Sequence, residues 1–134
     1  MTQAEKNLRI VAEHIANEAR DPAGILPLYT SDAVLEFPGR GLKFTTPDVI
    51  EANYRRMFAA ISDVELEPLD RFATDKRVVD DMIVRFTVVD EGMDGAPVQV
   101  GDKVALRLVH VFHMRNGLIA REIVHEDWQV VSNG

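Results

Sequence analysis

The sequence predicts an α+β domain in which helices come first and a run of long antiparallel strands follows. Amphipathic helical segments occupy the first half of the chain, strands of alternating hydrophobicity fill the second half, and an Asn-Gly pair joins the last two strands. Segregation of helices and strands along a chain is typical of α+β folds. Strands this long must curl, and helices laid across a curled sheet leave a cone-shaped interior suited to a ligand.

Two long amphipathic helices and a short helical segment are predicted. Residues 2–20 form the first helix, and its apolar face consists of Leu8, Val11, Ala12, Ile15 and Ala19. The Asp-Pro pair at 21–22 ends this helix because a residue before proline avoids the α region. A short helical segment follows around 25–29. The second long helix begins with Thr-Pro-Asp at 46–48, where the threonine hydroxyl is expected to cap the first turn, and extends to Ile61.

Five strands are predicted, at 33–37, 64–72, 78–90, 103–115 and 118–131. Pro68 bends the second strand, because proline cannot donate a hydrogen bond to a strand ladder. The Asn116-Gly117 pair is typical of a type I′ turn, whose twist matches that of the two strands it joins. Residues 91–102 contain three glycines and one proline and are predicted to form a loop.

Length, charge and cysteine content exclude several classes of protein. The 134 residues are predicted to form one domain, 1–134, because a second domain would need its own core. The chain has no cysteine, which excludes disulfides, thiolate metal sites and a cysteine nucleophile. The net charge of −7 has the wrong sign for a nucleic-acid partner. No apolar run can cross a bilayer and no signal peptide opens the chain, which predicts a cytoplasmic protein without a membrane partner.

His110 is the leading candidate for a catalytic residue. It lies on the apolar face of its strand, between Leu108 and Phe112 at two-residue steps, where an imidazole is partly desolvated. The alternative is a core histidine whose ring is satisfied by a backbone carbonyl or a neighbouring tyrosine. Tyr54, in the apolar stripe of the second long helix, either donates a hydrogen bond to a ligand or belongs to the core.

The remaining aromatic residues and histidines predict an apolar pocket without a metal ion or cofactor. Phe58 and Trp128 form either a pocket wall or ordinary core. His110 and His113 are three residues apart on a strand, so they point to opposite faces and cannot share a metal ion. The sequence has no phosphate-binding loop, dinucleotide fingerprint or nucleophile elbow.

Four segments, in this order and spacing, resemble a known family: 28–34, 37–39, 110–112 and 116–127. The chain is similar to the nuclear transport factor 2-like superfamily, in particular its SnoaL-like branch of small cyclases, isomerases and hydrolases. The resemblance implies a cone-shaped α+β barrel, in which three N-terminal helices pack on a strongly curved, mostly antiparallel sheet.

The resemblance also implies roles for individual residues. In the polyketide cyclases a histidine that matches His110 assists proton transfer. The functional aspartate of the cyclases and limonene epoxide hydrolases corresponds to Val124 in this chain, and valine cannot carry a proton. Other members keep an Arg-Glu pair and a later aspartate, which match Arg121, Glu122 and Asp127. The general-base aspartate of ketosteroid isomerase, just before a proline, is replaced by Phe37.

The direction of Asp127 depends on the register of the last strand. On an unbroken strand Glu122, Val124 and Trp128 share one face, and Asp127 lies on the other. A bulge, which the uneven alternation of this strand suggests, would turn Asp127 towards the interior. The alternatives are a solvated ion pair for Arg121 and Glu122, and a surface or dimer contact for Asp127.

Two functions follow from these observations. The first is an acid–base enzyme without a cofactor, an isomerase, cyclase or hydrolase of a small hydrophobic organic molecule. His110 would be its proton shuttle, Asp127 or Glu122 the acid partner, and Tyr54 an orienting group. The other ligand-binding residues would be Phe58, Phe112, Val124 and Trp128. The second function is a non-catalytic binding or dimerisation module without the catalytic acid. Both predict a homodimer through the apolar outer face of the later strands, which carries Ile83, Val89, Val109 and Val111.

Overall fold

The computed structural model of the chain describes residues 1–134 and confirms the α+β class. Two α-helices, two short 3₁₀ segments and six strands follow one another along the chain. Their bounds are α1 Gln3–Asn17, a 3₁₀ helix Pro22–Leu28, β1 Tyr29–Phe37, a 3₁₀ turn Pro38–Arg40, β2 Leu42–Thr45, α2 Pro47–Ala59, β3 Ile61–Ala73, β4 Arg77–Val88, β5 Lys103–Arg115 and β6 Leu118–Ser132.

The six strands form one mostly antiparallel sheet in the order β2-β1-β6-β5-β4-β3. Only β1 and β6 pair in parallel, so the first and the last strand of the chain are neighbours in the sheet. The short strand β2 was not predicted, because four residues are too few to show an alternating pattern. It pairs with β1 and extends that edge of the sheet.

The even-numbered residues of β4 and β5, together with Ile119, Glu122 and Val124 of β6, face the helices and form the core side of the sheet. The pairing of β3 with β4 is irregular where the sequence predicts a bend: the register shifts between Pro68 and Asp70. On the opposite face of the sheet Ile83, Val109 and Val111 are half-buried. Dimerisation through that face stays a prediction.

The buried face of helix α1 overlaps the predicted one at Val11 and Ile15 but also includes polar residues. A capping box between Thr2 and Glu5 starts the helix. The buried residues are Asn7, Val11, His14 and Ile15, and the predicted Ala19 is exposed. The helix turns its polar residues inward because they have partners there. The Asn7 amide, for example, donates to the carbonyls of Thr74 and Asp75 at 3.2 and 3.0 Å.

Helix α2 begins where predicted, but without the expected cap. Thr46 has a φ of 71°, so its hydroxyl cannot reach the first free amides and instead donates to the Asp48 carboxylate at 2.6 Å. The helix ends at Ala59, two residues earlier than predicted, because Ile61 already belongs to β3. Ile50, Asn53 and Tyr54 are buried against the sheet. Neither α-helix has the length and apolar character needed to cross a membrane.

The β5–β6 hairpin has the predicted turn, with φ of 53° at Asn116 and 75° at Gly117. We expect Gly117→Ala to lower the free energy of unfolding by about 1–2 kcal/mol, because a Cβ disfavours the left-handed region. Urea unfolding measures this change. The matched control is Gly39→Ala, since Gly39 has no positive φ and no atom within 4 Å of the added Cβ. Equal effects of the two substitutions would contradict the prediction.

Candidate functional site

A cavity of about 60 Å³ lies between α2, the inner face of the sheet and the loop that connects β4 to β5. Twelve of its 16 lining residues are hydrophobic, and Met93 of the loop is one of them. The charged or ionisable side chains on its wall, apart from tyrosine, are Glu18, Arg40, His110 and Glu126. The space is several times the roughly 10–15 Å³ that one water molecule needs, so it suits a small, largely apolar molecule.

His110 projects from β5 into this cavity and is held by a buried carboxylate. Its Nδ1 lies 3.2 Å from Asp80 Oδ2 on the neighbouring strand β4, and Asp80 Oδ1 accepts a hydrogen bond from Arg71 Nε at 2.8 Å. The other ring nitrogen, Nε2, has no hydrogen-bond partner in the protein. The carboxylate therefore fixes the ring and leaves Nε2 available to a molecule in the cavity.

Charges around this pair shift the pKa of both groups. Burial disfavours the charged form of His110, but the hydrogen bond to Asp80 and the charges of Glu122 and Glu18 outweigh burial and raise the pKa of the imidazole. Burial also opposes ionisation of Asp80, yet its bonds to His110 and Arg71 lower the pKa of the carboxyl. The pair is therefore stabilised as imidazolium and carboxylate.

A second buried group, the inner cluster, consists of His14, Glu18, Tyr29, Tyr54 and Glu122. The Glu122 carboxylate is fully buried, and its Oε1 accepts hydrogen bonds from the Tyr54 and Tyr29 hydroxyls at 2.8 and 3.2 Å. His14 Nε2 lies 3.3 and 3.4 Å from the two Glu122 oxygens. Burial disfavours charge on both, but their mutual attraction dominates: the pKa of Glu122 is lowered and that of His14 is raised.

Glu18 connects the inner cluster to the cavity. It directly follows the last residue of α1, in helical conformation and one turn after His14, so both side chains share a face. Its Oε2 is 3.2 Å from His14 Nε2, but the two atoms are not aligned for a hydrogen bond, and this buried oxygen has no other donor. Burial raises the pKa of Glu18 to about 7, although the positive charge of His14 opposes the shift.

The remaining charged pair, Arg40 and Glu126, is almost completely buried in the cavity wall. Arg40 Nε and Nη2 donate to the two Glu126 oxygens at 3.0 and 3.2 Å, and Nη1 donates to the Asp94 carbonyl at 3.0 Å. The guanidinium also lies 4.4 Å from the centre of the Phe37 ring. Arg40 therefore fastens the β4–β5 loop to the wall of the cavity.

The cavity brings together only some of the residues predicted from sequence. His110, Tyr54, Phe58 and Val124 line it. Glu122 lies behind Tyr54 and reaches the cavity only through that hydroxyl.

Two predicted wall residues lie elsewhere in the interior. Phe112 is fully buried between His14 and His110, with ring centres 5.7 Å apart in both cases, so it supports the two imidazoles instead of lining the space. Trp128 packs edge-on against Phe86, with ring centres 6.2 Å apart, and does not line the cavity.

Strand β6 has an irregularity, but it does not turn Asp127 inward: the β5–β6 register shifts at Ala120, between Ile119 and Arg121, well before Asp127. Strands β5 and β6 pair without a register shift from Arg121 to Val130. Asp127 therefore lies opposite Arg107 on the outer face of the sheet, where it is exposed. Its carboxylate points away from the cavity, because side chains of an unbroken strand alternate between the two faces.

Sequence reasoning missed Glu18, His14, Asp80 and Arg40. Residues 7, 11, 14 and 18 do follow helical spacing, but three of the four are polar, and the neighbouring apolar stripe of residues 8, 11, 12, 15 and 19 gave the stronger pattern. Asp80 stands between Val78 and Met82 on the alternating buried face of β4. A carboxylate at a core position was the signal that could have identified Asp80, because a buried charge needs a charged or hydrogen-bonding partner.

Comparison with protein families gives the identity of the domain. The family model described as SnoaL-like domain matches residues 11–122. The chain belongs to the SnoaL-like domain family. This agrees with the resemblance drawn from the sequence segments. No curated protein matches this SnoaL-like domain.

Solved structures share the fold of this SnoaL-like domain at low sequence identity. A protein from Shewanella putrefaciens described as a SnoaL-like polyketide cyclase superposes with a TM-score of 0.75 and 15% identity over 95% of this chain and 91% of its own. An LEH-like epoxide hydrolase from M. tuberculosis superposes with a TM-score of 0.72 and 16% identity, covering 94% of this chain and 86% of its own. A nuclear transport factor 2-like protein of unknown function from Burkholderia pseudomallei has a TM-score of 0.71 and 23% identity, covering 95% of this chain and 92% of its own. These similarities establish the fold and not the activity.

Proposed function

We propose that this SnoaL-like domain is an acid–base enzyme that moves a proton on a small hydrophobic organic molecule bound in the cavity. The observation that carries the proposal is the placement of His110. Asp80 holds one of its ring nitrogens at 3.2 Å, and the other nitrogen has no partner in the protein. A substrate in the cavity is therefore the natural hydrogen-bond partner of His110 Nε2.

In this proposal His110 is the catalytic residue and Asp80 is a positioning residue. The neutral form of His110, which is a stronger base because its pKa is raised, removes a proton from a carbon next to a carbonyl group and becomes the imidazolium that the Asp80 carboxylate stabilises. The same nitrogen then returns the proton, at the original carbon or at another one. Tyr54, whose ring lines the cavity and whose hydroxyl is bonded to Glu122, orients the substrate.

The size and walls of the cavity favour a small substrate. A volume of about 60 Å³ with mostly hydrophobic lining has no room for a polycyclic compound unless the β4–β5 loop moves. Arg40 and Arg56 both hold that loop, through the carbonyl and the carboxylate of Asp94. The relatives named as cyclase and epoxide hydrolase support the general class of reaction. Val124, in place of the aspartate of both families, disfavours their particular mechanisms.

The test is exchange of carbon-bound hydrogen in D₂O, followed by NMR over a panel of small cyclic ketones and enones. We expect the wild-type protein to catalyse exchange in at least one compound. His110→Gln should slow it by roughly 10²–10⁴-fold, because proton transfer by a positioned side chain contributes about that much.

His113→Gln is the matched control, since His113 lies on the same strand but on the outer face. Its exchange rate should equal that of the wild type. Equal rates for wild type and His110→Gln would refute the catalytic role of His110. Thermal stabilisation by a compound without exchange in any compound would instead favour the alternative, a binding module, which Val124 suggests.

A further inference from the structure

His14 Nε2 is surrounded by more oxygen atoms than its hydrogen bonding can use. Glu18 Oε2, both Glu122 oxygens and the hydroxyls of Tyr29 and Tyr54 all lie 3.2–3.5 Å from it. A ring nitrogen makes one hydrogen bond, either as donor or as acceptor. The buried Glu18 Oε2 remains without any hydrogen bond. The arrangement therefore has ligand atoms to spare.

The spacing of these atoms matches the coordination shell of a small cation. Ligand atoms bound at about 2.0–2.2 Å to a tetrahedral zinc ion lie roughly 3.3–3.6 Å from one another. The His14 nitrogen is 3.2 Å from Glu18 Oε2 and 3.3 Å from Glu122 Oε1. One ligand atom from each of His14, Glu18 and Glu122 falls within 4.8 Å of the others.

The elements that carry these residues are also suited to hold a cation. Glu18 caps the C-terminus of α1 in helical conformation, four residues after His14, the spacing by which a helix presents two metal ligands on one face. Glu122 comes from β6 in the middle of the sheet. The hydroxyls of Tyr29 and Tyr54 bond its Oε1 and fix the carboxylate, as outer hydrogen bonds do around known metal ligands.

We propose that His14, Glu18 and Glu122 form a binding site for one divalent transition-metal cation. One nitrogen and two carboxylate oxygens suit Zn²⁺, Mn²⁺ or Co²⁺, and two carboxylates neutralise the charge of the ion. Glu18 and Tyr54 line the cavity, so the cation reaches the site through it and keeps its open coordination position on that side. The inference goes beyond the proposed function, because proton transfer by His110 does not require the ion.

The test uses the full chain freed of metal with a chelator and titrated with Zn²⁺ by calorimetry and with Co²⁺ by visible absorption. We expect one equivalent of Zn²⁺ to bind, and Co²⁺ to give the absorption of a tetrahedral or five-coordinate ion. Glu18→Gln should weaken Zn²⁺ binding at least 10-fold and abolish that spectrum. Tyr54→Phe should weaken binding about 10–100-fold, because it frees the Glu122 carboxylate.

Glu13→Gln is the matched control, since Glu13 is an exposed carboxylate on the same helix. Circular dichroism of the metal-free variants checks that each is folded. Absence of stoichiometric binding by the wild type, or equal binding by the wild type and a folded Glu18→Gln, would overturn the inference. Hydrogen exchange catalysed by the chelator-treated protein is measured separately, so failure of the metal site and failure of His110 catalysis are distinguishable.

Discussion

Replacing Glu122 with alanine is expected to lower the free energy of unfolding by about 3–5 kcal/mol, as is usual when one partner of a buried ion pair is removed. The substitution removes the carboxylate partner of three buried groups at once. They are the His14 imidazole and the hydroxyls of Tyr29 and Tyr54. All three groups are buried, so bulk water does not readily replace the carboxylate as their partner. Urea unfolding followed by circular dichroism measures the change.

Glu65→Ala controls for removal of a carboxylate from the sheet. Glu65 is exposed on β3 and makes no hydrogen bond or ion pair, so its loss should change stability by no more than about 0.5 kcal/mol. Glu122→Gln keeps an oxygen that can accept hydrogen bonds from the tyrosines. Its loss of unfolding free energy should therefore lie between those of Glu65→Ala and Glu122→Ala. A loss below about 1 kcal/mol for Glu122→Ala would show that the inner cluster rearranges readily around the missing carboxylate.

Arg40→Ala is the second substitution with a large expected effect, again about 3–5 kcal/mol of unfolding free energy. It leaves the Glu126 carboxylate buried without its cation and removes the bond to the Asp94 carbonyl. Burial already raises the pKa of Glu126, and Arg40 is the main opposing influence. The β4–β5 loop should also exchange its amide hydrogens faster, which mass spectrometry detects.

Arg56→Ala is the control for Arg40→Ala, because it removes an exposed ion pair on the same loop instead of a buried one. Arg56 bonds the Asp94 carboxylate at 2.9 and 3.1 Å, but both side chains are more than half exposed. An exposed pair contributes about 0–1 kcal/mol, so this variant should remain close to the wild type. Similar losses for Arg40→Ala and Arg56→Ala would contradict the importance assigned to the buried Arg40–Glu126 pair.

The sequence allowed most of the sheet to be predicted because its signals are local. Alternation in β4 and β5, and the Asn116-Gly117 turn, determine pairing between neighbouring strands. The parallel contact of β1 with β6 joins residues about 90 positions apart and has no local signal. The prediction for α1 left His14 out of the buried face for a related reason, because the partners of His14 lie on elements distant in sequence.

The candidate site was predicted in part. His110 could be identified because one polar residue interrupts an apolar alternation, and the structure places it on the cavity wall. Its partner Asp80 and the acid Glu18 depend on register and on helix rotation, which the sequence did not determine. A bulge was expected to turn Asp127 towards the interior. The β5–β6 register is regular from Arg121 to Val130, so Asp127 stays on the outer face.

The position of β6 between β1 and β5 constrains how the chain can reach its native state. Strand β6 is synthesised after the other five strands of the sheet, yet it joins the two halves of that sheet and brings Glu122 to His14. Contacts over such sequence distances are slow to form because a long loop must close first. Until β6 has been synthesised, His14 and the two tyrosines lack their carboxylate acceptor, so the inner cluster cannot form.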